Sequence, residues 1–205
     1  MHTLAVENLA RFFGPRLVFK EVTFSLSSGE SLAVTGRNGS GKTTLLRLLA
    51  GLASPSKGKI TFSRDGQKLC RSNYRRDTSY VGPELTLYDN LTAIENLRFF
   101  ATMRGVALDH DAIKRILAEV QLEGRGEDYY GTYSSGMKLR LKYAVALLGN
   151  PALLLLDEPT SNLDDDGKRI VADIISRQTK TGILIIATNE KEEYGFAQKL
   201  YRVGD

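Results

Sequence analysis

The hydrophobic positions of this chain change period along its length, and those changes outline its elements. Near the start, apolar and polar residues alternate in "LAVENL" and again in "VFKEVTFSL", the period of half-buried strands, and "SLAVTG" is a short buried-type run ending at Gly36. "TTLLRLLAGL" then sets Leu45, Leu46, Leu48, Leu49 and Leu52 at helical spacing, so a glycine-rich loop joins a strand to an amphipathic helix. "GKITFSRDG" predicts a further strand, closed by a turn at Asp65 and Gly66. From about Leu85 to Gly149 the period is helical. "LTAIENLRFFATMRG" offers Thr92 and Glu95 as a capping box, with Ile94, Leu97 and Ala101 on one face; "DHDAIKRILAEVQL" does the same with Ile113, Ile116, Leu117 and Val120. "ALLLLDEP" and "GILIIATN" return as short continuous apolar runs, which suit strands covered on both faces of a parallel sheet. The expectation is one α/β domain over residues 1–205: a mostly parallel core sheet, an N-terminal antiparallel β part and a helical subdomain inserted at about 85–149.

Composition narrows the classes. A length of 205 residues allows a substantial core, and 42% hydrophobic with 25% charged residues argues against intrinsic disorder. The longest apolar run, Ala152 to Leu156, falls far short of the roughly 18 residues that begin to make a membrane span, so no direct insertion is expected. "MHTLAVENLARFF" carries Glu7 and lacks the basic start and cleavage pattern of a signal peptide, which predicts a cytoplasmic chain. Cys70, the single cysteine, has no second thiol for a disulfide or zinc site and is expected to be a small apolar filler. The net charge of +4 is densest at "RSNYRRD", Arg71 to Asp77; this reads as a solvated face, because a nucleic-acid surface needs a longer basic stripe with interleaved aromatics. No nucleic-acid partner is expected.

Candidate chemistry begins at "GRNGSGKTT", Gly36 to Thr44, which fits G-x-x-x-x-G-K-[ST], the P-loop. Its glycines let consecutive backbone N–H groups converge on phosphate oxygens, and the following helix adds its positive end. Gly36, Asn38, Gly39, Ser40, Gly41, Lys42, Thr43 and Thr44 are therefore candidate nucleotide ligands. Lys42 is expected to reach the β- and γ-phosphates, and Thr43 to offer its hydroxyl to Mg²⁺ with Thr44 beside it. The second constellation is "LLLLDEPT", Leu153 to Thr160. A buried strand ending in two acids can aim Asp157 at the metal through its water shell and Glu158 at the attacking water.

With "YSSGMKLRL", Tyr133 to Leu141, a family resemblance is complete: the P-loop, "SSGM", "LLLLDEP" and "SNLD", in that order, resemble the nucleotide-binding subunit of an ABC transporter over essentially the whole chain. The resemblance implies a P-loop NTPase fold, ATP and Mg²⁺ as cofactors, and hydrolysis coupled to transport through separate transmembrane permease subunits. It also implies a peripheral place on the inner face of the cell membrane. Ser134, Ser135 and Gly136 would bind the γ-phosphate held by the P-loop of a second such subunit, in a homodimer or heterodimer. "SNLD", Ser161 to Asp164, would meet that partner near the phosphates. Phe13 would stack on adenine, with Phe12 as competitor. "SSGMKLRL" is similar to the variant in exporters of the bacterial cytoplasm, and "LTAIENLRFFATMRGV" and "GLASPSKGKI" are similar to haem-exporter subunits of cytochrome c maturation; a generic exporter of unknown cargo stands beside that reading.

Two departures concern hydrolysis. Where the family carries a glutamine near Mg²⁺ and the attacking water, this chain has "YVGPELTLYDNLT", so Pro83 or Glu84 occupies the place. Glu84 is the functional counterpart, a candidate catalytic and metal-contacting residue, because only its side chain accepts hydrogen bonds. Where the family carries a histidine on the γ-phosphate, Asn189 stands, and the two histidines, His2 and His110, lie far along the sequence. A neutral amide positions a phosphate but neither carries charge nor relays a proton, so slowed turnover is expected. Two other readings remain: a weakly hydrolysing or non-hydrolysing ATP-gated subunit of a heterodimer, opposed by intact Glu158, and a soluble ABC ATPase acting on nucleic acid or ribosomes, opposed by the lack of a second cassette or long coiled-coil insert in this sequence.

Overall fold

The computed structural model describes residues 1–161 and 163–204; Asn162, inside the "SNLD" loop, and Asp205 lie outside the described residues. Chain order is β1 (His2–Phe13), β2 (Arg16–Ser27), β3 (Ser31–Thr35), α1 (Lys42–Leu49), β4 (Lys57–Arg64), β5 (Gln67–Lys68), α2 (Arg71–Arg76), β6 (Thr78–Val81), α3 (Ala93–Arg104), α4 (His110–Glu119), α5 (Ser135–Leu147), β7 (Leu153–Asp157), α6 (Asp165–Thr181), β8 (Ile183–Ala187) and β9 (Lys199–Arg202), with 3-10 turns at Tyr130–Thr132 and Lys191–Phe196.

Two sheets result. The first is antiparallel, β2-β1-β4-β5; the second, β6-β7-β8-β3-β9, is parallel at every pairing. β3, β7 and β8 are buried at every position, which is why their sequences run apolar without alternation. Their residues nonetheless divide by face. Leu153, Leu155, Ile183 and Ile185 pack with Leu45 and Leu49 of α1 and with Leu4 and Phe62 of the antiparallel sheet. Leu154, Leu156, Leu184 and Ile186 pack against Leu97, Ile113, Leu141 and Ile170 from α3 to α6. The parallel sheet is therefore a middle layer, and the loops leaving the carboxyl ends of β3, β7 and β8 share one edge, the usual place for a ligand in such sheets.

Local signals set the helix ends. Thr92 and Glu95 form the reciprocal capping box of α3, and Gly105 at φ 66° closes that helix. Two expectations are corrected. Leu52 does not belong to the buried face of α1: the helix ends at Leu49, Gly51 turns left-handed at φ 69°, and Leu52 is left 60% exposed. Cys70 is not a buried filler; it is exposed at the start of α2, its sulfur 3.2 Å from Ser72 Oγ. The basic run beyond it is helical although it buries no residue; Tyr74 ties it down by donating to the Leu49 carbonyl and meeting Phe62 edge-on at 5.4 Å.

Candidate functional site

The loop between β3 and α1 is shaped by glycine. Gly41 sits at φ 101°, where a Cβ would lie 2.5 Å from Val18 Cγ1, and at Gly36 (φ 147°) a Cβ would lie 2.5 Å from the Val203 carbonyl oxygen. Lys42 opens α1 and is only 7% exposed; its Nζ folds back to donate to the carbonyls of Gly36 (2.9 Å) and Arg37 (3.4 Å). Burial pushes its pKa down, while the charges of Glu158 and Asp157 oppose the shift. Ser40 Oγ is buried without a hydrogen-bond partner among the described residues. A cationic donor satisfied by loop carbonyls and an orphaned hydroxyl fit a phosphate cradle. Phe13, Asn38, Gly39, Gly41, Lys42, Thr43, Thr44 and Glu158 line one cavity of about 500 Å³ with Arg16, Leu17 and Val18.

Asp157 ends β7 and faces this loop. Burial raises its pKa, opposed by hydrogen bonds from Thr43 and Tyr80 and by the charge of Lys42. The Tyr80 hydroxyl donates to Asp157 Oδ2 at 3.2 Å. Sequence reasoning missed Tyr80, because "TSYV" is a short strand whose contact with Asp157 arises only when β6 pairs with β7. Among the described residues no three histidine, cysteine, aspartate or glutamate side chains form a metal cage. The hydroxyl of Thr43 beside the carboxylate of Asp157 instead offers the sparse oxygen set that suits Mg²⁺ completed by water and phosphate.

Glu158 adopts a left-handed backbone, φ 49°, and its N–H donates to the Ala187 carbonyl of β8 at 2.8 Å. Such a conformation is uncommon for a non-glycine residue and persists where its surroundings enforce it. Glu158 also borders a second cavity of about 490 Å³ with Asn38, Thr160, Ser161 and Asn189. Asn189 donates through its amide to Asn38 Oδ1, so the neutral side chain after β8 reaches the P-loop.

The remaining candidates divide. Phe13 borders the P-loop cavity and is 54% exposed, whereas Phe12 does not line it; the guanidinium of Arg11 lies 4.6 Å from the Phe13 ring centroid. Glu84 is not brought to that cavity: it pairs with Arg47 of α1 at 3.0 Å and lines a separate cavity of about 540 Å³ with Tyr80, Leu85 and Arg104. Ser134 caps α5, accepting from the Met137 N–H at 3.2 Å, with Ser135 and Gly136 in the first turn; none of the three lines either cavity beside the P-loop. Asp164 caps α6, accepting from the Gly167 N–H at 2.8 Å.

The family model described as ABC transporter matches residues 19–161. The chain is 33% identical to the cytochrome c biogenesis ATP-binding export protein CcmA of Vibrio cholerae, covering 98% of this chain and 99% of that protein. It is 34% identical to the linearmycin resistance ATP-binding protein LnrL of Bacillus subtilis, over 93% of this chain and 62% of that one. A solved structure described as the ATP binding subunit of an ABC transporter superposes with a TM-score of 0.87 at 28% identity, covering 98% of this chain and 85% of its own.

Proposed function

The chain belongs to the ABC transporter family, and from that premise we propose that it is an ATP-binding and ATP-hydrolysing subunit that closes on MgATP against a second such subunit and drives transport through separate permease subunits. The observation that carries this reading is the meeting of Lys42, Thr43 and Glu158 at one cavity, with Asp157 hydrogen-bonded to Thr43. In it, the backbone N–H groups from Gly36 to Thr44 hold the phosphates, and Lys42 exchanges its loop carbonyls for β- and γ-phosphate oxygens. Thr43, with Asp157 acting through the water shell, would hold Mg²⁺, whose charge would offset that developing on the transferred phosphoryl group. Glu158 polarises the water, Phe13 stacks on adenine, and Asn189, tied to Asn38, supplies a neutral donor near the γ-phosphate. Ser134, Ser135, Gly136 and Asp164 complete the site of the partner subunit. Glu84, held by Arg47, takes the place of the missing glutamine and approaches the metal only if that ion pair opens.

Residues 1–205 act as one nucleotide-binding domain in this reading, with the helical subdomain at about 85–149 inserted in the α/β core. No helix among the described residues is long and apolar enough to cross a membrane, so attachment to the inner face of the membrane falls to the permease subunits. Cargo follows those subunits; an export role in cytochrome c biogenesis is the reading supported by relatives matched over 98% and 99% of their length. The neutral Asn189 favours a second reading, a slowly hydrolysing ATP-gated subunit. Phosphate release by the purified chain with ATP and Mg²⁺ separates the two. Turnover rising faster than linearly with protein concentration and lost in Glu158→Gln supports the hydrolytic dimer; ATP binding without turnover supports the gating subunit.

A further inference from the structure

The loop that carries Glu158 is gripped from two directions by buried side chains that the proposed chemistry does not use. From the 3-10 turn after β8, Glu193 accepts the Thr160 N–H at 3.0 Å on Oε1 and takes the Thr160 hydroxyl on the same oxygen. From α5, the hydroxyl of Tyr143 donates to the Pro159 carbonyl at 2.6 Å. Both grips are dry. Glu193 is 2% exposed and Tyr143 is fully buried; the second carboxyl oxygen, Glu193 Oε2, is buried with no hydrogen-bond partner among the described residues. Burial, with the Glu193 charge nearby, pushes the Tyr143 hydroxyl pKa up, which keeps it a donor.

A buried acid with one oxygen unpartnered is a poor contributor to stability. Its geometry nonetheless places both Thr160 donors on one point, two residues beyond the left-handed Glu158. The two grips also come from informative places. Glu193 lies four residues after Asn189, the arm that reaches this chain's own P-loop; Tyr143 lies on the helix opened by Ser134, Ser135 and Gly136.

We propose that Glu193, with Tyr143, is a positioning residue that fixes the Pro159–Thr160 segment, and through it the left-handed backbone and carboxylate direction of Glu158. The inference rests on the reading of Glu158 as the residue that polarises the attacking water. Through this segment the arm at one nucleotide and the helix that serves the opposing nucleotide in the dimer are joined, so the acid is aimed only when both are in place.

The test is steady-state ATPase kinetics, fluorescent-nucleotide affinity and thermal melting of the intact chain, its Glu193→Ala, Glu193→Gln and Thr160→Val variants, the Glu193→Ala/Thr160→Val double variant, and Glu158→Gln. A misplacement of about 1 Å reduces rate by up to roughly 100-fold. Glu193→Ala and Thr160→Val are therefore expected to lower kcat by about 10- to 100-fold with nucleotide affinity within about twofold, and the double variant to be no worse than the poorer single. Glu193→Gln keeps the accepting oxygen and is expected to retain at least about half of kcat. An unchanged kcat in folded Glu193→Ala, or losses in the double variant that simply multiply, overturns the proposal. Should Glu193→Ala not fold, unchanged kcat in Thr160→Val overturns it equally. Turnover surviving in Glu158→Gln instead overturns the reading of Glu158 on which the inference rests.

Discussion

At the scale of single residues, the proposed stacking of Phe13 on adenine depends on how its ring is held. Arg11, fixed by a 2.8 Å hydrogen bond to the Ser54 carbonyl, lies over the Phe13 ring, which also borders the P-loop cavity. An electron-poor base on one face and a cation on the other compete for the same ring quadrupole, yet the cation holds the ring in place. Base stacking on an aromatic contributes about 1–3 kcal/mol, so Phe13→Ala is expected to weaken ATP affinity roughly 5- to 150-fold, and Arg11→Met by a smaller factor. Titration with a fluorescent nucleotide reads both; loss in Phe12→Ala and none in Phe13→Ala transfers the role to Phe12. Asn189→His is expected to raise turnover, because an imidazole can carry the charge that the amide cannot; an unchanged rate in ATP-saturated, dimerising protein counts against that residue as the limit. The P-loop residues were legible in the sequence because their chemistry is written in spacing along one loop. Tyr80 and Glu193 were not, because each meets its partner across elements far apart in the chain, and the Arg47 pair that holds Glu84 is equally invisible to local pattern.

Elements were legible where burial imposes a period. β3, β7 and β8 lie between two cores and read as unbroken apolar runs, and the α3 cap follows the Thr-x-x-Glu pattern in both of its hydrogen bonds, 3.2 Å and 2.8 Å. α2 escaped because only Tyr74 packs inward from it, and one partly buried residue leaves no apolar period to read. The cap of α3 works with a second device. Asn96, fully buried, donates to the carbonyls of Tyr88, Leu91 and Thr92 and accepts the Tyr88 N–H at 2.9 Å, which fastens the loop from Tyr88 to Thr92 onto the first turn of the helix. Thr92→Ala is expected to destabilise the chain by about 1 kcal/mol in denaturant unfolding. Asn96→Ala strands several backbone groups at once and should exceed it, by about 1–3 kcal/mol or more. Equal, negligible losses in both would mean that packing alone sets this helix.

At the scale of the whole molecule, the parallel sheet sends three strand ends, after Thr35, Asp157 and Ala187, to one edge, and this gathers the P-loop, the acids and Asn189 from distant parts of the sequence. Ser135 and Gly136 line neither cavity beside that edge, although they open a helix whose first N–H groups favour an anion. The proposed sharing of the site between two subunits makes a sharper prediction than loss of function. Ser135 is exposed, and the cap of α5 is Ser134, so Ser135→Arg should leave the fold and nucleotide binding within about twofold of the parent while abolishing turnover. Lys42→Ala should abolish turnover by the other half of the site. In a two-fold symmetric dimer, mixing the two dead variants pairs an intact P-loop from one chain with an intact Ser135 from the other. Random pairing puts half of the chains in mixed dimers with one complete site of two, so activity should return to on the order of a quarter of the parent. No recovery in a mixture shown to exchange subunits means that the site is not shared between copies of this chain, and a different ABC subunit must then supply the opposing half.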